Sequence, residues 1–185
     1  MSIKSKLLAG FALAFCLTAA AVPFAAKAIA AAPPMAIAQS AAPLTEADIQ
    51  AVIDRLQAAR NNRDVEGTLA LIAPFAVTVV TAESGNGVST ITTHLDGVEA
   101  HRQMLEQSFS QVQRRESLKN YVTIDIIDDN FGLAKIYQLE NFETSTGETW
   151  IAASQTVLRL GRVDGQVLVT SATVDGWISA RPAQN

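Results

Sequence analysis

The sequence is short of cysteine, of aromatic residues and of positive charge. Its single cysteine, Cys16, lies inside an N-terminal apolar run. Once that run is removed, a disulfide framework and thiol catalysis have no residues to work with. Phe15 before it is too bulky for the small residue that a lipidation site requires. Aromatic side chains make up 6% of the 185 residues and charged ones 17%. Fourteen Lys and Arg stand against eighteen Asp and Glu, a net charge of −4. That balance lacks the clustered cations by which proteins displace counterions from nucleic acid, and it argues against adhesion to anionic membrane. No Gly-x-Ser-x-Gly element supports serine-hydrolase chemistry. Gly85-Asn86-Gly87 is not a phosphate loop, because no helix follows it.

What is abundant is apolar residue, 49% of the chain. That is enough to bury one domain of roughly 150 residues and excludes a disordered chain. The apolar residues are unevenly spread. Met1 to Lys6 carries two lysines and no acid, and Leu7 to Val22 is almost continuously apolar. Pro23 breaks that run, and Ala26-Lys27-Ala28 follows with small residues at the two positions a signal peptidase reads. Residues 1–28 therefore read as a cleavable secretory signal peptide, with Ala36-Ile37-Ala38 a second cleavage site further on. The run is shorter than the ~20 residues that span a bilayer, so no stable membrane insertion is expected after cleavage, and the protein is expected to be secreted or periplasmic. Removing residues 1–28 takes Lys4, Lys6 and Lys27 and no acid, which moves the net charge from −4 to −7.

Residues 29–44, rich in Ala and Pro and without charge, read as a flexible or extended tether. The domain is expected over 45–180, with a short tail at 181–185. Thr45-Glu46-Ala47-Asp48 resembles a capping box with Asp in place of Glu, and Ile49, Val52, Ile53 and Leu56 follow at amphipathic helical spacing to about Asn61-Asn62. A second helix is predicted from Asp64 as N-cap to Ile72, closed by Pro74. Phe75 to Ala82, β-branched and uncharged, predicts a strand, and the Gly-Asn-Gly turn leads into a partner strand, Val88 to Leu95. Asp96 is the expected cap of a third helix, Gly97 to about Gln113, with Val98, Leu105, Phe109 and Val112 as its apolar stripe. Four long strands are predicted after it, Leu118–Ile127, Phe131–Glu143, Glu148–Leu160 and Gln166–Ile178. The turns between them are polar or glycine-bearing. Strands longer than the usual five or six residues must coil or carry bulges. The order gives an α+β domain with helices on one face of a curved antiparallel sheet of about six strands.

This order resembles the nuclear transport factor 2-like superfamily, which includes SnoaL-like polyketide cyclases and ketosteroid isomerase. The resemblance is carried by the capped first helix and by Asp64-Val65-Glu66-Gly67-Thr68-Leu69 before Ala73-Pro74. Leu95-Asp96-Gly97-Val98-Glu99-Ala100 opening the third helix and the strand–Val163-Asp164-Gly165–strand hairpin also carry it. It covers about residues 45–180. It implies a cone-shaped, cystatin-like roll: a sheet wrapped around three helices of the N-terminal half, with an apolar pocket at the open end and pairing of two copies through the outer sheet face. Some members are isomerases, dehydratases or epoxide hydrolases, and many only bind ligands or partners. In the isomerase-like members the base comes from the first strand after helix two. Here that stretch, Phe75 to Ala82, holds no ionisable residue, and the nearest acid, Glu83, sits at the turn.

Several side chains could carry a site. His101 shares the stripe of the third helix and suits a general acid or base, because its unperturbed pKa lies near neutral; the bland reading is a hydrogen-bonded core histidine. Tyr121 and Asp125 alternate with Val122, Ile124 and Ile126. They would stabilise a ligand if their face lines the pocket and would be surface if the aliphatic face does. Tyr137 and Trp150 are candidates for ligand stacking and Trp177 for a pocket rim, against the alternative of plain core. His94, Asp96 and His101 carry ligand-type side chains near one helix start and would have to converge on a metal, but Asp96 is explained as a cap, and no His-x-x-x-His or paired-carboxylate spacing supports a metal, so neither metal nor cofactor is expected. Arg114-Arg115 reads as a solvated helix end. The leading functional expectation is an exported, non-enzymatic domain that binds a small apolar ligand or a protein partner. The alternative is a cofactor-independent lyase, isomerase or hydrolase of a small hydrophobic substrate using His101. A third class is a structural module whose pocket is merely core.

Overall fold

Thr45 opens the first helix as its sequence demands. In the computed structural model, which describes residues 42–180 apart from 86 and 88, its hydroxyl accepts from the Asp48 N–H. The Asp48 carboxylate in turn accepts from the Thr45 backbone, closing the capping box. The expected signal peptide, residues 29–41 of the tether and the tail at 181–185 lie outside the described residues. Leu44, the last residue of the predicted tether, is packed in the core, and its N–H donates to the Asp129 carbonyl at 2.8 Å. Leu44 before the cap and Ile49 at the fourth helical position share one cluster, the arrangement of a hydrophobic staple. Among the described residues, packing therefore starts at Leu44.

The elements run α1 Glu46–Asn61, α2 Val65–Leu69, β1 Ile72–Ser84, β2 Thr90–Asp96, α3 Gly97–Gln111, β3 Val112–Ile126, β4 Phe131–Thr144, β5 Thr149–Val163 and β6 Gln166–Ala180. The predicted order holds, with local differences. α2 ends at Leu69 and not at Ile72, which opens β1. Pro74 does not close the helix; it lies where β1 bulges away from β6, between the Ile72 and Val77 pairings, a position that does not require its missing N–H. Asp96 occupies the N-cap of α3, but its side chain makes no capping hydrogen bond. Asp164 and Gly165 both have positive φ, 50° and 80°, as a two-residue type I′ turn between Val163 and Gln166 requires.

The six strands form one curved sheet in the order β2-β1-β6-β5-β4-β3. β3 to β6 are the expected antiparallel meander. The sheet is mixed, because β1 pairs with β6 in parallel. The β1–β2 hairpin and α3 carry the chain to the far edge, and the meander then returns its last strand beside the first in the same direction. The N-terminal-half helices cover the concave side, and Ile49, Ile53, Leu71 and Leu160, all at most 2% exposed, anchor the core there with Leu158 and Val169. Gly132 makes this packing possible: a Cβ at that position would meet the Ile49 Cδ1 at 2.3 Å.

Two bulges in β3 decide which side chains face inward. Val112 pairs with Thr144, but Arg114 pairs with Glu143, so one extra residue has entered β3; a second enters between Ser117 and Lys119. Because side chains alternate, each extra residue reverses the face of everything beyond it. The first bulge turns Arg115, opposite Phe142, inward in place of Arg114. The second turns Val122 and Ile124 onto the core and leaves Tyr121, opposite Tyr137, on the outer face.

Candidate ligand-binding site

Beyond the packed core, the concave side opens into a cavity of about 260 Å3. α1 contributes Ile53, Leu56 and Arg60, and α3 contributes Met104, Leu105, Ser108 and Phe109. The sheet contributes Val80, Ala82, Ile136, Phe142, Ala152, Val174 and Ile178, among others. The α3 stripe is thus only half-buried where it was expected to be core: Leu105 and Phe109 face open space, while His101 and Ser108 are the buried residues of the helix. Such a mostly apolar hollow with a few convergent polar groups is the usual form of a small-molecule site, here near the lower end of the ~300–1,000 Å3 range.

The polar groups converge on Glu140. Its Oε2 accepts from Arg60 at 2.7 Å and from Arg115 at 3.4 Å. Arg60 also donates to Gln138 Oε1 at 3.1 Å, and Arg115 to the Ser108 hydroxyl at 3.2 Å. Arg63 reaches the Gln113 carbonyl close by. Burial lowers the Arg115 guanidinium to about 10, helped by the positive charges of Arg60 and Arg63 and opposed by Glu140. It remains cationic at neutral pH. Arg115 is therefore no solvated helix end: the helix stops at Gln111, and the bulge aims the residue inward. Sequence reasoning missed this cluster, although two signals point to it. Arg60 continues the α1 stripe at four residues after Leu56 and seven after Ile53. Glu140 shares the alternation of Ala134, Ile136 and Phe142 on β4.

His101 is 2% exposed and does not line the cavity. Its Nδ1 lies 2.7 Å from the Gly97 carbonyl, which can only accept, so Nδ1 carries the hydrogen. Nε2 is hydrogen-bonded at 2.8 Å to the Thr78 hydroxyl. Both ring nitrogens are engaged in fastening the first turn of α3 to β1. Tyr121 and Asp125 are exposed on the outer face, Asp125 beside Lys135 at 3.7 Å; the bulged register keeps them from the cavity. Tyr137 is also outside, 6.4 Å from Tyr121 between ring centroids. With Trp177 these two rings border a shallow outer depression. Trp150 is buried with Val112 and Phe142 at the far end of the sheet. Trp177 is the one sequence candidate that borders the cavity. His94, on β2 opposite Val79 of the outer-facing set, and buried His101 lie on different sides of the sheet.

The chain carries a nuclear transport factor 2-like fold. Solved structures that share this shape include a proposed scytalone dehydratase from Novosphingobium aromaticivorans, with a TM-score of 0.60 at 13% identity over 75% of this chain and 88% of that one. A hexachlorocyclohexane dehydrochlorinase from Novosphingobium barchaimii gives 0.60 at 10% identity over 75% and 91%. A ketosteroid isomerase-like protein from Erwinia carotovora atroseptica gives 0.54 at 14% over 70% and 94%. No protein-family model and no curated protein matches the sequence. At these identities the likeness extends to the fold alone, and the chemistry of this domain must be read from its own residues.

Proposed function

We propose that the chain is an exported, non-enzymatic nuclear transport factor 2-like domain whose cavity binds a small, mainly apolar ligand. One observation carries this reading: the cavity wall is aliphatic, and its inward ionisable groups, Arg60, Glu140 and Arg115, are bonded to one another. A general base needs a lone pair within reach of the proton it removes. Glu140 is ion-paired through Oε2 to two arginines, His101 is fastened at both nitrogens outside the cavity, and Glu83, though it borders the cavity, is exposed to water. The enzyme reading built on His101 therefore has no geometric support, and scaffolding alone leaves an open hollow without a purpose. The test is titration with the neutral dye N-phenyl-1-naphthylamine. Saturable uptake of one dye per domain, lost in Ala152→Leu and displaceable by the molecule native mass spectrometry finds in the purified protein, is the expected result. No saturable uptake would overturn the ligand reading, and recovery of a chemically altered ligand would overturn the non-enzymatic one.

Two further parts of the proposal have their own support. Phe75, Val77, Tyr121, Tyr137 and Trp177 are each at least 40% exposed on the outer side of the sheet. Exposed apolar patches of this kind mark interaction surfaces, and they support pairing of two copies. Sedimentation equilibrium should report a dimer that Tyr137→Glu dissociates. Export is supported by the three-part character of residues 1–28, and N-terminal sequencing of the mature protein checks it.

A further inference from the structure

We propose that the cavity selects a monoanion: a small apolar molecule bearing one carboxylate, with its head on Arg115 and Arg60 and its body along Leu105, Phe109 and Val80. This rests on the ligand-binding reading above and names the chemistry of that same site. The first argument is charge. Two guanidiniums share a single carboxylate, and they share the same oxygen of it, so the cluster of Arg60, Arg115 and Glu140 holds one more positive charge than negative, while Glu83, which also borders the cavity, is exposed to water. Placing a cation among aliphatic side chains costs free energy unless a counter-charge accompanies it.

The second argument is donor capacity. An arginine has five N–H donors, and the bonds of Arg60 and of Arg115 use two each among the described residues. Of the two, Arg115 is the less compensated. Its bond to Glu140 is the longer, 3.4 Å against 2.7 Å, and its side chain is the less exposed, 19% against 29%. The depressed pKa of Arg115 expresses the same deficit. A planar fork with unused donors, facing an apolar hollow, matches a carboxylate in geometry. The third argument separates a carboxylate from a phosphate monoester. A surplus of one charge suits a ligand of charge −1, whereas a phosphate brings roughly −1.5 to −2 and would leave charge uncompensated among the apolar side chains.

The experiment compares octanoate, octan-1-ol and octyl phosphate as ligands of the purified protein, read by calorimetry and by the intrinsic fluorescence of Trp150 and Trp177. Octanoate should bind about ten- to a hundredfold more tightly than octan-1-ol, with octyl phosphate weaker than octanoate. Arg115→Met should bring octanoate down to the affinity of octan-1-ol. That variant removes a buried cation and leaves Glu140 paired with Arg60, so it is expected to fold, and circular dichroism checks this. The wild-type comparison stands without it. Equal binding of octanoate and octan-1-ol would overturn the anion inference and leave the apolar-ligand reading intact. Preference for octyl phosphate would overturn the carboxylate assignment. Binding of none of the three would overturn both readings together.

Discussion

The two ends of the concave face are built from the same elements and do opposite things. At one end α1 presents Ile49, Val52 and Ile53, and these close against Gly132, Leu158 and Leu160 until no side chain is more than a few per cent exposed. One turn and two turns further along the same helix, Leu56 and Arg60 face a hollow that the sheet curves away from. The amphipathic period is unbroken across this change. What differs is the partner: Gly132 allows contact at the closed end, while at the open end the bulged β3 turns Arg115 inward to meet Ser108 and Glu140 beside the hollow. The first end supplies stability through burial, at about 25 cal/mol per Å2 of apolar surface removed from water. The second holds a charge cluster that burial penalises. A fold tolerates that only where stability is supplied elsewhere.

Breaking the charge cluster should produce the largest effect. Glu140→Gln leaves Arg60 and Arg115 facing each other without a counter-charge and should destabilise the domain by about 3 kcal/mol in urea unfolding, discounted within the 3–5 range because Arg60 keeps partial contact with water. Adding Arg115→Met should recover most of that loss. Two enlargements of inward alanines on neighbouring strands sharpen the contrast between the ends. Ala134, fully buried in the packed end, has no room, so Ala134→Leu should cost about 2–3 kcal/mol. Ala152→Leu projects into the cavity and should change the unfolding free energy by less than about 1 kcal/mol. Equal costs would mean that the hollow is filled in solution.

The smallest effect concerns the cap of the packed end. Hydrogen bonds from the Thr45 side chain and then its backbone hold the Asp48 carboxyl below the usual carboxylate range, with Arg162 adding to them. A carboxyl lowered in the folded state stabilises it above the ordinary carboxylate pKa, and that contribution disappears as pH falls through the lowered value. Thr45→Ala should cost about 1 kcal/mol at neutral pH. It should also flatten the acid limb of the stability profile, measured as Tm from pH 6 to pH 2.

Much of this was legible in the sequence because it is local. The capping box at Thr45, the Asp164-Gly165 turn and the Ile49–Leu56 stripe each depend on residues a few positions apart, and each formed where expected. The parallel β1–β6 pairing depends on how a hairpin and a helix return the chain across some ninety positions of sequence, and no local pattern encodes it. The site was hidden for a related reason. Arg115 reads as the polar end of a helix unless the helix is known to stop at Gln111 and β3 to gain a residue immediately afterwards. Arg60 and Glu140 were open to period counting, but a charge at an inward position invites the assumption that the period has ended. Tyr121 and Asp125 turned on a single parity choice, and the second bulge made it.

That parity choice gives the wall of the hollow an unusual grammar. Substituting one residue of β3 alters one word, but straightening a bulge between Val112 and Lys119, with no residue lost, shifts the frame of every side chain downstream. Straightening the second one, so that Leu118 sits opposite Leu139, would present Tyr121, Thr123 and Asp125 to the interior in a single step and expel Val122 and Ile124. Hydroxyls and a carboxylate would then stand where aliphatics now stand, with the backbone path scarcely altered. Gain or loss of a bulge at constant length along this strand is therefore a route by which a greasy lining can be exchanged for a reactive one.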